Sequence, residues 1–192
     1  MEAASAFGLI KGVFGAITSV FGVVAPKLEL TYAQGQSPYS EADEYMTFGV
    51  GFADASGQAQ TITDTSIRRW FRVGIKNRSM QTVEDVRVEL ASIEPDVIGH
   101  LPMALSIMNG TPQPLTVHRA ADPTYFADVI LKLDNEVRMH LMTAAQSPRG
   151  VGGIPAGRYR LGVRVTGRNT PAVIKHYVAD VDDQHRLIFA QD

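Results

Sequence analysis

From about Lys27 to the C-terminus the sequence predicts an all-β fold, an antiparallel β-sandwich, preceded by one apolar N-terminal helix. Three observations carry this prediction. About eight short runs of alternating apolar and polar residues follow one another at intervals of roughly 8–15 residues. Clusters of Gly, Pro and Asn separate them, and no long helical period occurs after Pro26. Strands without intervening helices bury their apolar faces against each other, which gives a sandwich rather than an α/β fold.

The segment before Lys27 differs in kind. From Ala3 to Ala25 the only groups more polar than Gly or Ala are Ser5, Lys11, Thr18 and Ser19, and Pro26 closes the run. A helix of this length spans about 35 Å, against about 30 Å for a hydrocarbon core. At about 100° per residue, Gly8, Gly12, Gly15 and Gly22 share one third of the helical wheel with Ala4, Lys11, Thr18 and Ser19. If each glycine had about a one-in-three chance of landing there, four together would be roughly a 1% event. Glycine costs a helix roughly 1 kcal/mol relative to alanine, a cost usually offset by close approach of a second backbone. Gly8, Gly12, Gly15, Ser19 and Gly22 therefore form a helix-packing groove, with Lys11 on the same face. Three readings follow: a membrane-inserted anchor, a helix packed against its copies in an assembly, and a cleaved signal peptide. Glu2, the lack of an early positive charge and proline at the first mature position weigh against the last. A helix packed on its own sandwich is disfavoured because the apolar arc is wider than one sheet face buries.

Each strand has its own signal. Leu28, Leu30 and Tyr32 alternate with polar neighbours as a first strand, and Tyr45 to Phe52 forms a second after the turn-rich stretch from Gly35 to Asp43. The polar segment from Asp54 to Asp64 predicts a loop. Phe71, Val73 and Ile75 then alternate with Trp70, Arg72 and Lys76; Asn77-Arg78-Ser79 turns the chain, and Val86, Val88 and Leu90 alternate with Arg87 and Glu89. Pro95 ends that strand, and Pro102, Pro112 and Pro114 make a long loop with short extended pieces around Leu105 and Leu115. Phe126 to Leu133 is a strand, and Val137 to Leu141 reads as another strand or a helical turn. Past a Gly/Pro-rich linker from Ser147 to Gly157, Tyr159, Leu161, Val163 and Val165 face one way and Arg158, Arg160, Arg164 and Thr166 the other. Gly167 to Pro171 turns, Val173 to Val181 returns, and Leu187 to Phe189 adds an edge.

The stretches RVGIKNRSMQTVEDVRVEL and AGRYRLGVRVTGRNTPAVIKHYV resemble the immunoglobulin-like β-sandwich domains of bacterial surface and membrane-anchored proteins. The resemblance lies in an extended strand, an Asn/Ser turn, a V-x-V-x-L strand and a late G-x-Y-x-L-x-V-x-V-T hairpin, and covers most of residues 66–190. It implies a binding, spacing or assembly module and supplies no catalytic residues. The paired core cysteines of antibody domains are missing.

Composition narrows the chemistry. With 192 residues, 45% of them hydrophobic and 20% charged, the chain is that of one globular core with a short appendage. A net charge of −2 gives no basic excess for nucleic acid, and the absence of cysteine removes disulfides, thiolate nucleophiles and cysteine-ligated metals. The histidines His100, His118, His140, His176 and His185 form no metal-binding or catalytic spacing, although His118 with Asp122 and His140 with Glu136 are candidate pairs. Gly150 to Gly153 lacks the Lys-Ser/Thr of a phosphate loop and precedes a strand. Asp180, Asp182 and Asp183 read as a polar turn more readily than as a calcium site. Asn77 and Asn109 each begin a glycosylation sequon.

One binding face suggests itself. If their strands are neighbours, Trp70, Arg72, Arg158, Arg160 and Arg164 make an outward aromatic–basic surface for an acidic partner or carbohydrate; otherwise guanidinium stems cover a sheet face. The expected protein is non-enzymatic, without cofactor or metal, and membrane-associated, displaying a sandwich for binding or scaffolding. The alternative is a self-assembling subunit, homo-oligomeric through the glycine face and independent of membranes; an uncharacterised hydrolase ranks below both.

Overall fold

The computed structural model describes residues 26–53, 59–144, 153–182, 184 and 186–192. The N-terminal helix, with Gly8, Lys11, Gly12, Gly15, Ser19 and Gly22, lies outside the described residues. Within them the chain is all-β. The strands are β1 (Leu28–Thr31), β2 (Ser40–Ala53), β3 (Ala59–Asn77), β4 (Val83–Glu94), β5 (Met103–Ala104) and β6 (Ser106–Ile107). After a 3-10 turn at Met108–Gly110 come β7 (Leu115–Val117), β8 (Tyr125–Leu133), β9 (Met139–Leu141), β10 (Arg158–Gly167), β11 (Thr170–Val181) and β12 (Leu187–Gln191).

Two sheets form, antiparallel throughout. In the first, β3 is the spine: β2 and β1 pair with successive parts of one edge, β8 takes the other, and β6 and β9 extend β8. The second runs β12-β11-β10-β4-β5, with β7 also on β4. Alternation decides what lies between them. Val73, Ile75, Ala127 and Ile130 of the first sheet, and Val86, Val88, Leu90, Leu161, Val163 and Val165 of the second, are all 0% exposed. Burying each valine, leucine or isoleucine contributes roughly 1.5–3 kcal/mol, so this shared layer is the main stabilising term. The predicted alternation in β10 holds: Tyr159, Leu161, Val163 and Val165 are buried while Arg158 and Arg160 are exposed.

The turn after Asn77 carries the chain from one sheet to the other, since β3 and β4 belong to different sheets. Asn77 holds that crossing from a fully buried position. Its Nδ2 donates to the carbonyls of Gln81 (2.7 Å) and Val117 (2.9 Å), and its Oδ1 accepts from the amide (2.9 Å) and hydroxyl (2.6 Å) of Ser79. This consumes the amide that a glycan would need, whereas Asn109 is exposed.

Two departures from simple alternation matter below. Phe71 pairs with Ile130 but its neighbour Arg72 pairs with Asp128, so Val129 is the extra residue of a bulge. Asp128 therefore stays outward with Arg72, while Ile130 turns inward with Phe71 and the buried Lys132 pairs with the exposed Arg69. Second, the segment predicted as a loop from Asp54 to Asp64 is strand from Ala59 onward. Ala59 to Ile67 pairs with β2 alone, because the pairing with β8 ends at Arg68. That two-stranded ribbon of about 30 Å pairs with no third strand among the described residues.

Candidate functional site

The outer face of the first sheet gathers the charges of three strands. Glu41 and Asp43 on β2, Arg68, Trp70 and Arg72 on β3, and Asp128 on β8 stand beside one another because antiparallel register places Glu41 opposite Trp70 and Arg72 opposite Asp128. Arg72 is 6% exposed. Its Nε donates to Asp128 Oδ1 (2.6 Å), and its Nη1 to Glu41 Oε2 (2.5 Å) and the Pro38 carbonyl (3.2 Å). Arg68 pairs with Asp43, which also accepts from Trp70 Nε1 (3.3 Å). The two guanidinium carbons lie 5.2 and 5.4 Å from the Trp70 ring centroid, a cation–π clamp. Burial pushes the Asp128 carboxyl above its usual value, against the opposing pull of Arg72. The Glu41 carboxyl is held below its usual value, by the Ser37 hydroxyl first and Arg72 second.

The predicted aromatic–basic surface does not form. Trp70 and Arg72 belong to the first sheet, whereas Arg158, Arg160 and Arg164 belong to β10 in the second. The sandwich core lies between them, because β3 and β10 belong to opposite sheets. Nor is Arg72 a surface residue; it is the buried centre of an ion triad. On the second sheet, Arg164 binds Glu89 (2.6 Å) and Arg160 binds Asp192 (2.5 Å), so carboxylates on β4 and the C-terminus offset the basic row. Arg158 is exposed and makes no ion pair among the described residues.

The other candidates resolve as structure. His140 Nε2 meets Glu136 Oε2 at 2.7 Å, whereas His118 Nδ1 shares a hydrogen bond with Thr82 (3.0 Å) rather than meeting Asp122. Asp182 accepts from the amides of Gln184 (2.9 Å) and Arg186 (2.8 Å) and pairs with the Arg186 side chain, which closes a turn; Asp183 and His185 lie outside the described residues. No group of three or more His, Asp or Glu able to hold a metal occurs among the described residues. Among them, too, no helix is long and apolar enough to cross a membrane.

Sequence reasoning missed a cleft of about 740 Å³ where β2 and β3 face β12. Tyr32, Phe71 and Phe189 line it, with the Arg69–Asp134 pair (3.0 Å) at the rim. Tyr32 donates to the Phe189 carbonyl (2.7 Å) and stands edge-on to Tyr39, Tyr177 and Phe189, which makes the aromatic wall rigid. Its described lining holds no histidine. The cleft thus combines an aromatic wall with one ion pair at its rim. No local signal reveals it, because its walls come from strands more than 100 residues apart.

Comparison with protein-family models, with curated proteins and with solved structures finds no match for this chain. The class that the geometry itself defines is an all-β protein of two packed antiparallel sheets.

Proposed function

We propose that the protein is a non-enzymatic, membrane-associated binding or scaffolding module, anchored by its apolar N-terminal segment and displaying an immunoglobulin-like sandwich. The observation that carries the reading is the abrupt division at Pro26. Before it stands a long apolar run with its glycines on one face; after it, a sandwich with its own complete core begins within two residues, at Leu28. The immunoglobulin-like part is supported by the crossing from β3 to β4 between sheets and by the β10–β11 hairpin, which are the two stretches that carry the resemblance. Binding rather than catalysis is supported by the way titratable side chains are spent on structural pairs: Arg72 with Asp128 and Glu41, Arg164 with Glu89, Asp182 with Arg186.

Membrane fractionation of the full chain, followed by sizing with and without detergent, tests this. The anchor reading expects recovery with membranes and release by detergent alone. A chain that is freely dispersed and monomeric without detergent refutes it. The second reading, a self-assembling subunit joined through Gly8, Gly12, Gly15, Ser19 and Gly22, rests on the one-sided glycines. It expects large particles in membrane-free buffer that Gly12→Leu disperses while the sandwich stays folded.

A further inference from the structure

Cations are unevenly used in this protein. Eight arginines among the described residues are ion-paired: Arg68, Arg69, Arg72, Arg78, Arg160, Arg164, Arg168 and Arg186. The buried Lys132 is held by the carbonyls of Leu133 (2.5 Å) and Glu136. Of the cations left without an ion pair among the described residues, Lys27, Lys76, Arg119 and Lys175 line two depressions that share Arg78 and therefore adjoin. Three of the four described lysines are thus collected at one end of a molecule whose net charge is −2.

The same end has apolar ground between the charges. The larger apolar share belongs to a groove of about 470 Å³ whose floor is Pro26, Leu28, Pro171 and Val173. Lys175 sits opposite Val163 in the hairpin register, so its stem runs along the inward side of β11 and its ammonium opens into this groove. In the adjoining depression, the Arg119 guanidinium lies against Met80, a side chain 81% exposed on the turn that links the sheets. The local carboxylates are mostly engaged elsewhere: Glu29 pairs with Arg78, and Glu84 and Asp85 pair with Arg168, leaving Asp122 as the acid of the Arg119 loop. Pro26, where the apolar N-terminal run joins the sandwich, forms part of the groove wall.

We propose that this end of the sandwich is a docking surface for an anionic lipid bilayer, with Lys27, Lys76, Arg119 and Lys175 contacting headgroups and Met80 entering the interface. The charge complementarity carries the assignment: unpaired ammonium and guanidinium groups surround apolar ground at the point where an apolar segment leaves the domain. The proposal deepens the anchor reading above by specifying which end of the domain faces the lipid and which lipids it selects. It also predicts binding that the anchor alone does not.

Vesicle flotation of the full chain tests it, using phosphatidylcholine vesicles with and without phosphatidylserine, alongside the variant K27Q/R119Q/K175Q. Each cation near an anionic surface contributes roughly fivefold, so the triple variant loses on the order of 100-fold of the phosphatidylserine preference at low salt. Raised salt reduces the preference of the unaltered chain in the same direction. The control R138Q/R158Q removes two charges elsewhere that make no ion pair among the described residues: Arg138 lies beside Gly153, and Arg158 starts β10, whose far end, Gly167, packs on Leu28. It keeps the preference, and an unchanged melting temperature shows that each variant is folded. Failure of the two ideas looks different. If the anchor reading is wrong and the docking surface right, the chain ignores neutral vesicles yet still binds anionic ones in a salt-sensitive manner. Equal binding to both vesicle types, or a phosphatidylserine preference that survives in the folded triple variant, overturns the docking surface.

Discussion

Replacing Arg72 with methionine isolates the cost of the buried triad. The methionine keeps an apolar stem beside Trp70 but removes the cation that Asp128 and Glu41 share. Glu41, with a side chain 35% exposed, can turn to water and contributes little. Asp128 cannot: it is 7% exposed and its partner at 2.6 Å is gone. Leaving one member of a buried ion pair uncompensated costs about 3–5 kcal/mol, the deficit expected near neutral pH. The pH dependence follows from the same carboxyl. Burial already raises its proton affinity in the folded chain, and loss of Arg72 raises it further. The unfolded carboxyl titrates near 3.9, so the folded variant binds the proton more tightly than the unfolded one. Stability from the protonated acid is then fully present below about pH 4 and is lost as pH rises through the folded value. Urea unfolding of R72M at about pH 4 and about pH 7 should therefore show a deficit that grows with pH, and R72M/D128L should recover more than half of the neutral-pH loss. A deficit under about 1 kcal/mol at neutral pH, or one of equal size at both pH values, refutes the account.

Three further outcomes follow from the packing. A Cβ at Gly74 would lie 2.6 Å from Thr31 Oγ1 and 2.7 Å from Pro123 Cγ, and the proline ring cannot rotate away. Gly74→Ala should thus lose about 1–3 kcal/mol in chemical denaturation, and an unchanged midpoint would count against the close approach. Tyr177 stacks on Phe189 with its hydroxyl buried and without a hydrogen-bond partner among the described residues, so Tyr177→Phe should leave stability unchanged or raise it by about 1–2 kcal/mol; a clear loss would show that the hydroxyl is satisfied. Burial pushes the Tyr32 hydroxyl up to about 12 and raises that of Tyr177 as well. Unfolded tyrosines ionise near 10, so the stability these two supply is intact below about pH 10 and lost as pH climbs through the folded values, visible as a falling thermal midpoint while phenolate absorbance stays low.

What the sequence revealed was whatever alternation encodes. Leu161, Val163 and Val165 announce their strand because each is buried on one face with arginines opposite, and the short pieces around Leu105 and Leu115 were readable from the prolines that bound them. Sheet membership was hidden, since pairing between Arg72 and Asp128 or Arg164 and Glu89 spans 56 and 75 residues and leaves no local trace. For that reason the basic row was legible as a set of residues and not as a face: the acids that offset it stand on other strands. The ribbon from Ala59 to Ile67 escaped because its backbone pairing to β2 leaves no local trace in a polar sequence. The unpaired lysines at the Pro26 end were visible one by one, but Lys27, Lys76 and Lys175 become neighbours only after β1, β3 and β11 assemble.

The bulge at Val129 bears on how this chain can change length. Elsewhere in β8, losing one codon would turn every following side chain to the opposite face, driving Asp128 inward or Ile130 out. Between Asp128 and Ile130 the rule is suspended, because Val129 has no partner on β3 and its removal leaves Arg72 with Asp128 and Phe71 with Ile130. The loss would be one buried valine and the hydrogen bond that its carbonyl accepts from the Met142 amide (3.1 Å) on the other edge of β8. An insertion or deletion in this strand therefore has one tolerated address, and related chains that differ in length across β8 should differ there.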